Sequence, residues 1–272
     1  MPRPGFSSRL KAVVRESLPP SLYHSLALAA HPRRAFFTFR SRRALQAITS
    51  NHGSRVQSGP FAGMKYEPPS YAIGISLPQL LGCYEAELHP LVEDVVRRRY
   101  EHIINVGSGA GYYAVGFALR LPNAEVHAFD WDPMARRLCQ RTVELNGVAD
   151  RVQVHGYCSP ESLQDLVAAK TFVMVDCEGC ELDLLRPDLA PRLEACDLLV
   201  ELHEFLDPRI SETILERFRP THRIALIDTR EERYEDMPAL QGLSQSQRRM
   251  ATQEYRSGSM QWAFMESNLG ND

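Results

Sequence analysis

The sequence predicts an α/β fold in which helices cover a mostly parallel sheet. Short apolar runs typical of buried strands alternate with segments whose apolar residues recur at helical spacing. The clearest example is residues 103–130, where a strand-like run precedes three glycines, a helical pattern and a second strand. With 272 residues, 44% hydrophobic and 24% charged, the chain can build one large globular domain.

The glycines connect the first predicted strand to the first helix. Gly107, Gly109 and Gly111 follow the apolar residues 103–106, and glycines at such a turn let a ligand approach the peptide N–H groups. The second strand ends on Asp130, from which a carboxylate can accept hydrogen bonds from ribose hydroxyls. This unit predicts a nucleoside-binding site, with a tight turn that binds no ligand as the alternative.

The remaining elements continue the alternation of strands and helices. Further strands are predicted at residues 152–154, 171–175, 197–204, 222–228 and 260–265. Helices are predicted at residues 112–121, 132–146 and 161–169, and at residues 77–98, which Pro90 divides into two. The helix that follows Asp132 has the clearest limits, because Asp132 is a good N-cap, Pro133 suits the first position and Gly147 ends it. Residues 229–258 are polar and are expected to insert a helix and a substrate-facing loop.

Polar side chains follow the fourth and fifth strands, at the edge where open α/β sheets bind ligands. Asp176, Glu178 and Glu181 cluster at the end of strand four, and Glu201 and His203 end strand five. His203 is the first candidate for a general base, because its unperturbed pKa is about 6.5. Asp176 and Glu178 would orient it or bind substrate hydroxyls. The alternative for His203 is a partly buried histidine that holds a loop by a hydrogen bond.

Composition and charge exclude several other classes of protein. A formal net charge of −3 argues against a general nucleic-acid-binding protein. The six cysteines lack a secreted-scaffold pattern, and with no signal peptide we expect reduced thiols in a cytoplasmic protein. Cys177 and Cys180 form a C-x-x-C, which we interpret as coincidence because neither a second pair nor a thioredoxin context accompanies it.

The N-terminal part of the chain differs from the rest, which suggests a division into residues 1–58 and 59–272. The first 43 residues carry basic side chains and a single acidic one, Glu16, and prolines break them into short helical pieces. A basic arm that contacts an anionic membrane or an acidic protein is one interpretation. A solvated helical cap is the favoured one. No apolar run in this part is long enough to cross a bilayer.

The spacing of the glycines decides which nucleoside cofactor is expected. The dinucleotide fingerprint needs its third glycine at the position of Tyr112, but Gly111 comes one residue earlier. The G-x-G-x-G spacing with Asp130 resembles the class I S-adenosylmethionine (SAM) methyltransferases. The segments INVGSGAGYY and DCEGCE make residues 59–265 similar to their FkbM-like branch. One departure is Asn105, which stands where that family often has an acid.

The resemblance implies a Rossmann-like seven-stranded sheet with an antiparallel last strand, SAM as cofactor and S-adenosylhomocysteine as product. In such enzymes the loop after strand three lies along the adenine, and the segment before strand one covers the cofactor. The implied cofactor-binding residues are Glu85, Asn105, Gly107, Ser108, Gly109, Gly111, Asp130, Trp131, Tyr157, Cys158 and Asp176. For Glu85 an exposed helical position is an equal alternative, and for Tyr157 and Cys158 a simple turn is the alternative.

The expected reaction is methylation of a hydroxyl on a small polar acceptor, a sugar within a glycan or a natural product. His203, Asp176 and Glu178 are the predicted catalytic residues. Catechol O-methyltransferase places a divalent metal in a comparable position, so a metal held by Asp176, Glu201 and His203 is a less favoured alternative. The sequence is also compatible with a SAM-binding interaction module without catalysis, with a methyltransferase for protein or nucleic acid and, least of all, with an NAD-dependent dehydrogenase.

Overall fold

The computed structural model describes residues 45–46, 48–50, 53–67, 76–229, 236–254 and 260–269. Within them the chain forms a seven-stranded sheet in the order β3-β2-β1-β4-β5-β7-β6. The strands are β1 His102–Val106, β2 Glu125–Phe129, β3 Val152–His155, β4 Thr171–Val175, β5 Asp197–Leu202, β6 His222–Asp228 and β7 Gln261–Ser267. Strands β1 to β5 pair in parallel, and β7 pairs antiparallel with both β5 and β6. The predicted fold class is confirmed.

Helices lie on both faces of this sheet. The α-helices are α1 Leu77–Leu81, α2 His89–Arg98, α3 Tyr112–Arg120, α4 Pro133–Asn146, α5 Pro160–Leu166, α6 Glu181–Leu184, α7 Ile210–Phe218 and α8 Gln245–Thr252. Short 3₁₀ turns are Ala86–Leu88, Pro191–Ala195 and Pro238–Leu240. Two clusters of buried apolar side chains fill the space on the two faces of the sheet.

Most predicted boundaries agree with the structure to within a few residues. The side chain of Asp132 accepts a hydrogen bond from the Met134 amide at 2.9 Å, and Gly147 ends α4 in the left-handed conformation. Helix α2 begins at His89, so the break before Pro90 is also confirmed. Helix α5 is shorter than expected, because the backbone is already extended at Val167.

The polar residues near the carboxyl ends of the strands lie on one face of the sheet. In a strand, alternate side chains point to the same face. Asn105 of β1 and Glu201 of β5 therefore share the face of Ile103 and Leu199, which belong to the first apolar cluster. Glu201 stands opposite the buried Trp262 of β7. This face is also the one that the segment before β1 covers.

That covering segment is held against α3 by aromatic packing. The ring of Phe61 packs edge-on against Tyr112, Tyr113 and Phe117, with ring centroids 5.2–5.9 Å apart. Residues 59–66 form mainly a turn, and a single bridge joins Arg55 to Lys65.

Part of the basic extension belongs to the same core. Ile48 and Val56 are buried within the first apolar cluster. The proposed basic arm before residue 45 lies outside the described residues. Among the described residues, no helix combines the length and apolar character that a membrane crossing requires.

Replacing Gly116 of α3 tests the importance of the packing of Phe61 against α3. A Cβ added to Gly116 would lie 2.5 Å from Cγ of the buried Phe61 ring. We expect Gly116→Ala to lower the free energy of unfolding, measured with urea, by about 1–3 kcal/mol despite the better helix propensity of alanine.

Gly156→Ala is the matched control, because a Cβ at Gly156 would meet no heavy atom within 4 Å. Equal stability of the two variants would contradict the packing argument.

Candidate active site

The glycine-rich turn lies directly against the end of β4. Gly107 has a φ of 83°, and a Cβ there would overlap the carbonyl oxygen of Asp176. The Asp176 amide donates to the carbonyl of Val106 at 2.9 Å, which continues the pairing of β1 and β4 beyond the strands. The amides of Gly107 and Ser108 both donate to the carbonyl of Phe129 at 2.9 Å. The turn is therefore fixed between the ends of β2 and β4.

Asp130 fixes the other side of the turn. Its Oδ2 accepts a hydrogen bond from the Gly109 amide at 2.9 Å, and its Oδ1 accepts one from the Asp132 amide at 2.8 Å. Burial raises the pKa of Asp130, and these two hydrogen bonds act in the opposite direction. Each carboxylate oxygen keeps a further lone pair, so Asp130 can still accept hydrogen bonds from a ligand.

The residues that follow β2 and β3 differ in their exposure. Trp131 and Tyr157 are 60% and 71% exposed, so both side chains are free to cover a flat ligand. The Cys158 side chain is buried in the second apolar cluster and does not face solvent. A ligand contact from Cys158 would therefore come from its backbone. The roles of all three residues stay predictions.

His203 lies at the centre of a group of carboxylates. Its Nδ1 is 2.6 Å from Oε1 of Glu181, which is fully buried. Its Nε2 is 3.4 Å from Oε2 of Glu201, 3.5 Å from Oδ1 of Asp176 and 3.8 Å from Oε2 of Glu178. The structure thus brings the predicted catalytic residues and Glu201 together. We call Asp176, Glu178, Glu181, Glu201 and His203 the His203 cluster.

The charges of this cluster determine the protonation of His203. Burial by itself would lower the pKa of His203, but the hydrogen bonds and charges of Glu181 and Glu201 raise it to about 10. Burial and the nearby charges of Glu201 and Glu85 raise the pKa of Asp176. His203 is therefore protonated at neutral pH in this state. It would have to lose that proton before it could act as the predicted general base.

Glu181 is a site residue that the sequence analysis placed in the acidic cluster without assigning it a role. It is the last acid of DCEGCE, and it lies in the first turn of α6. Besides contacting His203, its Oε1 accepts a hydrogen bond from the Gly179 amide at 3.2 Å. The acidic motif placed Glu181 near the other two carboxylates, but only the structure shows that it contacts His203.

The interpretation of Cys177 and Cys180 is wrong. The two residues form a disulfide with a Cα–Cα distance of 5.5 Å, within the range that such a bond requires. Glu178 and Gly179 between them both have positive φ, so the backbone turns sharply enough to bring the cysteines together. The expectation of reduced thiols therefore fails for this pair, while Cys83, Cys139, Cys158 and Cys196 are free and buried.

Glu85 approaches the cluster from the covering segment. It is 2% exposed, so the alternative of an exposed helical residue is wrong. The hydroxyl of Tyr113 donates a hydrogen bond to Oε2 of Glu85, and the Glu85 amide donates to Oε1 of Glu254 at 2.7 Å. Ligand atoms of Glu85, Asp176 and Glu201 lie within 4.8 Å of one another. The covering segment thus brings the carboxylate of Glu85 to the site, and its predicted role in cofactor binding stays a prediction.

The donor set of this region fits a divalent cation. Asp176, Glu178 and His203 also bring ligand atoms within 4.8 Å of one another. Carboxylate oxygens with an imidazole nitrogen are suitable ligands for Mn²⁺ and other divalent ions. Glu181 on Nδ1 is the kind of outer carboxylate that orients a metal-binding histidine.

Comparison with known proteins agrees with this geometry. Residues 90–176, from α2 to the end of β4, match the family described as ribosomal protein L11 methyltransferase (PrmA). This match supports a methyltransferase domain. The segment contains the glycine-rich turn, Asp130 and Asp176.

Individual relatives match over shorter or more divergent stretches. The tRNA wybutosine-synthesizing protein 2 homolog of Bos taurus is 40% identical over 55 residues, which are 20% of this chain and 13% of that protein. The release factor glutamine methyltransferase of Chlorobaculum tepidum is 31% identical over 111 residues, 40% of this chain and 34% of that protein. The chain therefore spans about a third or less of these curated relatives. An O-methyltransferase from Bacillus cereus, solved with S-adenosylhomocysteine, has 14% identity and a TM-score of 0.45 over 65% of this chain and 78% of that one.

Replacing Glu181 tests the electrostatics of the His203 cluster. We expect Glu181→Gln to lower the pKa of His203, now about 10, by about 1–3. The folded-state pKa of His203 lies above its unfolded value of about 6.5. The pair therefore stabilises the fold fully below about pH 6.5, and this stabilisation is lost as the pH rises through about 10. Histidine NMR titration of the protein in EDTA measures the change.

Glu178→Gln is the control for this titration. Glu178 is 3.8 Å from Nε2 and its side chain is 73% exposed, so its removal should change the pKa of His203 less. An unchanged titration in Glu181→Gln would disprove the assigned cause.

Proposed function

We propose that the chain is a SAM-dependent O-methyltransferase that acts on a hydroxyl of a small polar acceptor, a sugar within a glycan or a natural product. One observation carries the proposal. A glycine-rich turn held by Asp130 directly adjoins the buried His203 cluster at the carboxyl edge of one parallel sheet. A nucleoside-binding turn and a proton-transfer group thereby share one site.

The turn suits a nucleoside with an amino-acid tail. Among the described residues, Oδ1 of Asn105 and the hydroxyl of Tyr112 are buried polar atoms without a hydrogen-bond partner. Such atoms fit a site whose polar ligand completes their hydrogen bonding. Asp130 would hold the ribose, and the exposed Trp131 and Tyr157 would cover the adenine. When bound, SAM supplies an activated methyl group.

Membership of the FkbM-like branch is the finer part of the proposal. The family match supports only a methyltransferase domain and ends at residue 176. The motif DCEGCE lies at the end of this match and just beyond it, and its three carboxylates all approach His203. This convergence supports a shared catalytic role for the motif.

The chain contributes alignment and proton transfer to the reaction. A sugar hydroxyl is a weak acid, so a neighbouring group must take its proton as the oxygen attacks. Asp176 and Glu178 would bind the hydroxyl, and His203 would accept the proton. His203 becomes a better base when a cation neutralises Asp176 and Glu201, because the charge that holds its proton is then reduced.

Titration with S-adenosylhomocysteine and NAD tests the cofactor assignment. We expect micromolar binding of S-adenosylhomocysteine in isothermal titration calorimetry and no binding of NAD. Asp130→Ala should weaken the binding at least about tenfold, because hydrogen bonds to a charged group contribute about 1.5–3 kcal/mol.

Asp150→Ala is the control, because the side chain of Asp150 is 75% exposed. Failure of the wild-type protein to bind S-adenosylhomocysteine would disprove the proposed function. Binding of NAD instead would favour a dehydrogenase.

Metal-assisted transfer is a second candidate mechanism. The specific observation is that Nε2 of His203 faces Asp176 and Glu201 while Glu181 holds Nδ1. A divalent ion on Asp176, Glu201 and His203 would polarise the acceptor oxygen and lower its pKa.

Calorimetric titration with MnCl₂ tests this mechanism. If the metal binds here, Glu201→Gln should weaken the binding at least about tenfold, while Asp150→Asn should not. Equal Mn²⁺ binding by the wild-type protein and Glu201→Gln would exclude the site.

The proposed acceptor is a small molecule or glycan, whereas the names of the relatives refer to tRNA and to a release factor. The segment after β4 reads DCEG, whereas amino-directed enzymes typically have an N-P-P-Y type sequence there. The net charge of −3 also disfavours a nucleic-acid partner. We further propose a cytoplasmic protein whose basic N-terminal extension is a solvated helical cap, with contact to a membrane surface or another protein as the less favoured alternative.

A further inference from the structure

Asn105 leaves the glycine-rich turn without an acid on β1. Its side chain is 2% exposed, and among the described residues its Oδ1 has no hydrogen-bond donor. An amide oxygen carries only a partial charge, so it binds an ammonium group less strongly than a carboxylate does. A cofactor with an amino-acid tail would need a full negative charge from another part of the chain.

Glu85 brings such a charge to the same side of the sheet. It is held there by the hydroxyl of Tyr113, the second residue of α3, which begins immediately after Gly111. The backbone of Glu85 is left-handed, with a φ of 48°. A non-glycine residue in this conformation is held by its surroundings. The hydrogen bond from Tyr113 then holds the carboxylate beside the first turn of α3.

The surroundings of Glu85 favour a cation. Its carboxylate, together with those of Asp176 and Glu201, places three acidic groups within 4.8 Å. Buried carboxylates at such distances repel one another unless a positive charge or a proton lies between them.

A second observation indicates that this ligand is also polar. The hydroxyl of Tyr112 is buried and lacks a partner among the described residues. After burial, the charge of Glu85 is the main cause that raises the pKa of Tyr112, so the two side chains are close. A ligand that carries both an ammonium group and hydrogen-bond acceptors would satisfy Glu85 and Tyr112 together.

We infer that Glu85 replaces the acid missing at Asn105 and binds the α-ammonium group of the cofactor's methionine portion, an inference that rests on the proposed function. The covering segment then takes part in recognition of the cofactor. It supplies the charge that distinguishes the complete cofactor from a simple adenosine thioether.

Calorimetry with two ligands tests the inference. S-adenosylhomocysteine carries the ammonium group, whereas 5′-methylthioadenosine keeps the adenosine and sulfur but lacks it. Glu85→Gln should weaken the binding of S-adenosylhomocysteine about tenfold or more and change that of 5′-methylthioadenosine less than about twofold. Decarboxylated SAM retains the amine and should lose as much affinity as S-adenosylhomocysteine.

A second variant tests directly whether Glu85 compensates for the absence of an acid at position 105. In Glu85→Gln/Asn105→Asp the acid returns to β1, and we expect at least part of the lost affinity for S-adenosylhomocysteine to be restored. Tyr113→Phe keeps Glu85 but removes its hydrogen bond. It should weaken the binding of S-adenosylhomocysteine more than that of 5′-methylthioadenosine, and this test remains even if Glu85→Gln does not fold.

The outcomes separate the inference from the proposed function. Suppose that the wild-type protein binds both ligands, and that Glu85→Gln and Tyr113→Phe each lose as much affinity for 5′-methylthioadenosine as for S-adenosylhomocysteine. That result would overturn the role of Glu85 and leave the cofactor assignment intact. Unchanged affinity of Glu85→Gln for S-adenosylhomocysteine would do the same. Failure of the wild-type protein to bind either ligand would overturn both.

Discussion

The close approach of β1 and β4 at their carboxyl ends determines the geometry of the site. Gly107 turns directly beside the carbonyl of Asp176, where a side chain would overlap it. This contact places the glycine-rich turn and the acidic loop after β4 at the same point of the sheet. Parallel pairing with β5 then brings Glu201 and His203 alongside. The sheet register therefore assembles the site from segments distant in sequence.

Burial strengthens the electrostatic interactions within the His203 cluster, but it also carries a desolvation cost. His203 and Glu181 are both almost fully buried, and a buried ion pair is favourable only when its remaining hydrogen bonds are satisfied. Here the His203 imidazolium faces several carboxylates, so negative charge exceeds positive charge. This excess of negative charge favours the binding of a cation. The disulfide between Cys177 and Cys180 restricts the loop that carries Glu178, which limits how far these charges can separate.

The sequence predicted the features that depend on local pattern. The strands, the cap of α4 by Asp132 and the residues at the strand ends follow from apolar periodicity and short motifs. The contact partners of Glu85 and Glu181 could not be predicted in this way. Glu85 is buried because Tyr113, 28 residues later, binds it, and Glu181 faces a histidine 22 residues later. Long-range contacts decide which of many carboxylates enter the site.

Asp176 and Glu201 connect the two halves of this site electrostatically. Both lie near Glu85 on the side of the covering segment, and both approach Nε2 of His203 on the other side. A cation beside Glu85 would reduce the negative potential at His203 and so lower the pKa of His203 from about 10. Occupation of the cofactor site would then prepare His203 to accept a proton. If the proposed function holds, cofactor binding and proton transfer at His203 would therefore be coupled through two shared carboxylates, Asp176 and Glu201.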